Sequence, residues 1–148
     1  MKNAWIPFIS LLVATSSWAE SFKPNNGFSG PLYRSLKGPK VSQSRDGTKS
    51  VLTRLGTAII ECQKGPSGSY NDYDCVINVS ELSTRSAQTV FESLNGPAVQ
   101  VENQLKSILL AIYPAHSCGF TICQKRVSLV CQESGACFLK SELTGWND

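Results

Sequence analysis

Six cysteines, one histidine and two closely spaced aspartates are the residues of this chain whose types and spacing could do chemistry. Cys62, Cys75, Cys118, Cys123, Cys131 and Cys137 admit metal binding, thiol nucleophilicity or disulfide cross-linking. Zinc sites generally place two sulfurs roughly two to four residues apart, so that one turn presents both to a tetrahedral ion. Four residues lie between Cys118 and Cys123, which is admissible, but five separate Cys131 from Cys137 and twelve separate Cys62 from Cys75. No pair has the spacing of a redox motif, and an even count leaves no thiol over as a nucleophile. An even set behind an export signal is read as disulfides formed in an oxidising compartment, with no metal site and no cofactor expected. Pairing nearest neighbours gives Cys62 with Cys75, Cys118 with Cys123 and Cys131 with Cys137. Crossed pairs such as Cys123 with Cys131 across adjacent strands are the alternative, because spacing does not fix connectivity.

His116 is the sole histidine and precedes Ser117 and Cys118. A Ser, His, Asp group is arithmetically available with Asp72, Asp74 or Asp148, but catalytic partners meet through the fold and no nucleophile motif selects one. Paired carboxylates could serve glycoside hydrolysis. In the polar tip of a hairpin, however, Asp72 and Asp74 read as turn formers. The glycines are isolated or turn-bound, so no phosphate cradle is found. No catalytic residue is assigned; a small secreted hydrolase using His116 stands as an alternative.

Binding chemistry is better represented. The run Ser69, Tyr70, Asn71, Asp72, Tyr73, Asp74 combines flat aromatic faces with directional polar groups, the combination that suits protein hot spots and sugar rings. A second candidate surface is electrostatic: seven basic residues against two acidic ones give residues 20–60 a balance of +5, while residues 61–148 carry −3. Lys37, Lys40 and Arg45 are the candidates there for an anionic surface such as lipopolysaccharide, acidic glycan or phospholipid. Nucleic acid fits less well, since only Phe22, Phe28 and Tyr33 interleave with those charges. Asn78, Val79 and Ser80 match a glycosylation acceptor pattern.

The elements that must position these residues follow from the hydropathy pattern. Residues 1–19 read as a signal peptide: Lys2 supplies the positive start, residues 6–14 the apolar stretch, and Ser17, Trp18 and Ala19 a cleavage point after Ala19. No later apolar run is long enough for a transmembrane segment once the signal is removed. The mature part suffices for one domain. Residues 20–50, rich in Pro, Gly, Ser and Lys, read as a flexible basic arm ahead of a disulfide-stabilised domain over residues 51–148.

Within that domain, apolar residues 58–60 and 76–79 flank Cys62, a Gly, Pro and Ser-rich turn and Cys75, which predicts a hairpin. Ser80 is a candidate N-cap for a helix carrying Leu82, Ala87, Val90, Phe91 and Leu94 at helical spacing, stopped by Asn95, Gly96 and Pro97. Val101, Leu105, Ile108, Leu109, Ile112 and Tyr113 then fall on one face of a second helix from Pro97 to Pro114. The rival reading makes residues 99–101 and 107–113 short strands. Residues 120–123, 127–131 and 137–139 read as short strands divided by polar turns. The fold class is therefore α+β: a small disulfide-stabilised domain in which antiparallel hairpins pack with two central helices.

A hairpin bounded by two cysteines, a helix ending in Asn95, Gly96 and Pro97, a Val-rich segment, and the strand Val127, Ser128, Leu129, Val130, Cys131 closing on Cys137 and Phe138 resemble the glycan-binding subunits of pertussis-like toxins over residues 57–138. That resemblance implies an oligomer-binding barrel assembling as a pentamer. The helical face over residues 101–113 and the additional pair Cys118 and Cys123 depart from the pattern, and no sugar-binding residue of that family maps onto this chain. The reading favoured is an exported, periplasmic or secreted, non-enzymatic binding or inhibitory protein of the bacterial envelope or its surroundings. Its partner is expected to be a protein, a glycan or an anionic surface, and the glycan-binding subunit of a toxin-like oligomer is the second alternative.

Overall fold

The computed structural model describes residues 20–69, 71–118 and 121–145. The expected signal peptide and Tyr70 lie outside the described residues, as does the side chain of His116. Among the described residues, two antiparallel sheets and two helices make up an α+β fold. Strands β1 (Ser21–Phe22), β2 (Val41–Gln43), β3 (Lys49–Leu52), β4 (Ala58–Lys64) and β5 (Tyr73–Asn78) form one sheet in the order β1-β5-β4-β3-β2. Strands β6 (Val99–Glu102), β7 (Leu105–Cys118), β8 (Thr121–Gln132) and β9 (Cys137–Gly145) form the other, in sequence order. Helix α1 (Asn26–Ser35) touches β4 and β5 of the first sheet and β7 of the second. Helix α2 (Ala87–Ser93) touches β8 and β9 of the second sheet and β3 of the first.

A single core runs through both sheets and both helices, with Leu32, Leu36, Ile60, Ile77, Val90, Leu94, Leu110 and Leu129 fully buried within it. Burying such a side chain is worth about 1.5–3 kcal/mol, enough to outvote local propensity. That explains the first correction: residues 20–50 are not a flexible arm. Strand β1 pairs with β5, and α1 buries Ser29, Leu32, Tyr33 and Ser35 even though Gly27, Gly30 and Pro31 make it a poor helix in isolation.

A second correction concerns residues 97–113, which are strands and not a helix, as the rival reading had it. Asn103 and Gln104 both take positive φ, at 47° and 63°, in the tight turn joining β6 to β7. Such turns normally announce themselves by glycine, and here none is present. A bulge between Leu109 and Ala111 then shifts the alternation of β7, bringing Ile108, Leu110 and Ala111 all into the interior and imitating helical spacing. The helix expected from Ser80 shrinks to α2, preceded by a 3-10 turn at Val79–Glu81. The short strands expected over residues 120–131 are one continuous strand, β8. Among the described residues the two sheets are open, in the orders given, which departs from the barrel implied by the toxin resemblance.

The two halves repeat one another. Ser35-Leu36-Lys37-Gly38-Pro39-Lys40-Val41 corresponds to Ser93-Leu94-Asn95-Gly96-Pro97-Ala98-Val99, Lys49-Ser50-Val51-Leu52 to Lys106-Ser107-Ile108-Leu109, and Cys62-Gln63 to Cys131-Gln132. Each half is a helix followed by a four-stranded meander, with one disulfide linking its last two strands: Cys62–Cys75 joins β4 to β5, and Cys131–Cys137 joins β8 to β9. Gly38 and Gly96 both take left-handed φ, 111° and 122°, just past their helices.

The halves also meet symmetrically. Leu36 bridges Leu94, the Lys37 amide donates to the Ser93 carbonyl at 2.9 Å, and the Asn95 amide donates to the Ser35 carbonyl at 2.8 Å. Equivalent lysines close both helices. Lys49 Nζ donates to the carbonyls of Tyr33 and Leu36 at 3.2 and 3.0 Å and sits 4.5 Å from the centre of the Tyr33 ring. Lys106 Nζ donates to the Phe91 carbonyl at 2.9 Å and sits 4.5 Å from the centre of the Phe91 ring. A cation at a helix C-terminus satisfies orphan carbonyls and opposes the helix dipole.

Candidate functional site

The two halves differ where loops have grown, and those loops are where binding residues collect. The β4–β5 turn spans residues 65–72, whereas its counterpart between β8 and β9 spans only residues 133–136. Asp72 organises the longer turn. Its carboxylate accepts from the Ser67 amide at 2.6 Å, the Ser67 hydroxyl at 2.7 Å and the Gly68 amide at 2.9 Å. Its carbonyl accepts from the Gly65 amide at 2.6 Å. The Ser67 hydroxyl above all, with the Ser67 and Gly68 amides, holds the Asp72 carboxyl below its usual range against opposing desolvation. Gly65 lies so close that a Cβ there would overlap that carboxylate.

This turn forms one wall of a groove of about 510 Å³ whose other wall is the segment leading from β1 into α1. Lys23 and Asn26 line it on one side, and Gln63, Asn71, Tyr73 and Asp74 on the other. Lys23 and Asp74 form an ion pair at 3.4 Å across the rim, both largely exposed, so the pair contributes little to stability. Tyr73 is half-buried with its ring 4.8 Å from that of Tyr33, and the Tyr33 hydroxyl donates to the Gly47 carbonyl at 2.6 Å. Burial, then the neighbouring Tyr73 and Asp46, raises the Tyr33 pKa; burial, then Lys37, lowers that of Lys49.

The expected binding residues therefore divide. Asn71, Asp72 and Tyr73 come together at the groove, Asp72 as the residue that shapes the turn and Tyr73 partly as packing. Arg45 lies in the β2–β3 turn at the same end of the sheet, where Gly47 packs against the Lys64 stem. Lys37 and Lys40 flank the turn at the opposite end of β2, so the three cations form no single patch. Lys23, Asn26 and Gln63 were not anticipated, because the pairing of β1 with β5 that brings Lys23 and Asn26 there is not visible locally.

The cysteines pair as nearest neighbours, and none is free. Cys62–Cys75 and Cys131–Cys137 link directly opposed residues of adjacent strands, while Cys118–Cys123 joins the last residue of β7 to β8. Among the described residues no three His, Cys, Asp or Glu side chains converge as a metal site would require. None of the described helices is long and apolar enough to cross a membrane. No family model, curated protein or solved structure matches the chain.

Proposed function

We propose that this chain is an exported, non-enzymatic binding or inhibitory protein of the bacterial envelope or its surroundings, which engages a polar partner through the groove beside the β4–β5 turn. The observation that carries this reading is the state of the two carboxylates in the groove. Asp72 is committed to the turn by three hydrogen bonds, and Asp74 faces Lys23. What the groove offers a partner is amide groups from Asn26, Gln63 and Asn71 beside the Tyr73 ring, a lining suited to a glycan or a polar protein loop. Three disulfides support an oxidising compartment for the folded chain.

Gln63 and Asn71 are exposed, so their side chains can be removed without disturbing the core. Immobilised oxidised protein is expected to retain a partner from envelope or host extract, identified by mass, and Gln63→Ala with Asn71→Ala is expected to weaken retention at least about tenfold. Retention indifferent to both substitutions would remove the groove from the account. Turnover of an ester or glycoside that disappears in His116→Ala would replace binding with hydrolysis.

A further inference from the structure

We infer that the chain forms a twofold homodimer in which β9 pairs antiparallel with β9 of a second copy, centred on Ser141. In the first half, the outer edge of the last strand is covered by the chain itself, with Ser21 opposite Asn78 and Phe22 opposite Ile77. The equivalent edge, on β9, ends the four-stranded sheet. Its cover among the described residues is one bond, from the Cys137 amide to the Leu82 carbonyl at 2.9 Å. Ala136 faces the other way, its carbonyl accepting from the Gln132 amide at 2.9 Å. Alternation from these two fixed points aims the main-chain groups of Leu139, Ser141 and Leu143 outward, as a row ready for a further strand.

The sequence of that row complements itself. Leu139-Lys140-Ser141-Glu142-Leu143 reads as a palindrome in polarity with its charges inverted about Ser141. Antiparallel pairing about Ser141 sets Leu139 against Leu143 of the second copy at hydrogen-bonded positions. Lys140 then meets Glu142 of the second copy at the non-hydrogen-bonded positions, where strands approach more closely and side chains interact best. Leu143, 66% exposed in the single chain, gains an apolar neighbour. Lys140 and Glu142 already pair within the strand while remaining about half exposed, so each is free to join a ring of four alternating charges. Edge charges ordinarily prevent strand addition. Here they select a register, because centring the pair on residue 140 or 142 would bring like charges together.

The test uses the full oxidised mature chain in sedimentation equilibrium, with thermal melts confirming that each variant folds. The native chain is expected to weigh as a dimer. K140E and E142K, each placing like charges opposite one another, are expected to raise the dissociation constant at least about tenfold, and the double variant K140E/E142K to recover it. S141P removes an outward amide that β8 does not use and is expected to yield a folded monomer. A native chain that sediments as a monomer overturns the inference. So do single reversals or S141P that leave the dimer intact, and so does a folded double variant that fails to regain it.

Discussion

Asp72 illustrates how much one side chain decides at the candidate site. Three donors converge on its carboxylate, so the turn that walls the groove depends on its being ionised. Its folded pKa lies below the unfolded one, so between the two values the unfolded chain binds more protons and stability rises with pH. The contribution is fully present above the ordinary carboxylate value and is lost as pH falls through the depressed one. Denaturant midpoints measured from neutral to acid pH should show that acid loss in the native protein and a reduced one in Asp72→Asn, with the Asn variant also less stable at neutral pH. Their place in a polar hairpin tip identified both aspartates as turn formers, which holds for Asp72 but not for Asp74, a residue of β5 opposite Gln63. The packing role of Tyr73 was not legible, because its partner Tyr33 lies in a segment whose glycines and proline disguise a helix.

Among the elements, the β4–β5 and β8–β9 hairpins and the end of α2 at Asn95, Gly96 and Pro97 were legible, whereas α1 and the strands over residues 41–52 and 99–113 were not. Apolar runs ending at cysteines on either side of a polar turn suggested β4–β5 and β8–β9, and the structure resolves the open connectivity by bridging directly opposed residues in each. Helix α1 and strand β7 were hidden for opposite reasons: α1 has helix-breaking residues rescued by burial, and β7 has a bulge that makes a strand look helical. The three bridges should differ in worth. Replacing Cys62 and Cys75 by Ala closes off no loop in the unfolded chain and is expected to cost about 3 kcal/mol in urea unfolding, and replacing Cys131 and Cys137 about 2 kcal/mol. Cys118 and Cys123, which join β7 to β8 and are not members of the core cluster, should matter least. An equal loss from all three would contradict this order.

At the scale of the molecule, the duplication is the principal finding. It was present in the sequence as Ser-Leu-x-Gly-Pro-x-Val at two places, yet reading the first copy as part of a flexible arm and the second as a helix stop concealed the relation between them. The shared core makes the halves one cooperative unit. Leu36 and Leu94 occupy equivalent, fully buried positions where the halves meet, so each replacement by Ala should cost about 2–5 kcal/mol. Calorimetry should still record one transition for either variant. Two separate melts would mean that the halves fold independently.

The short β8–β9 turn has a longer twin on the other half of the same frame. Grafting residues 65–72 in its place would duplicate the turn without the opposite wall that Lys23 and Asn26 supply, because among the described residues no counterpart of β1 covers β9. Such a molecule should dissociate from a surface dense in partner no more slowly than its parent, and slower release at high coating density in surface-plasmon measurements would show that the turn grips without the wall.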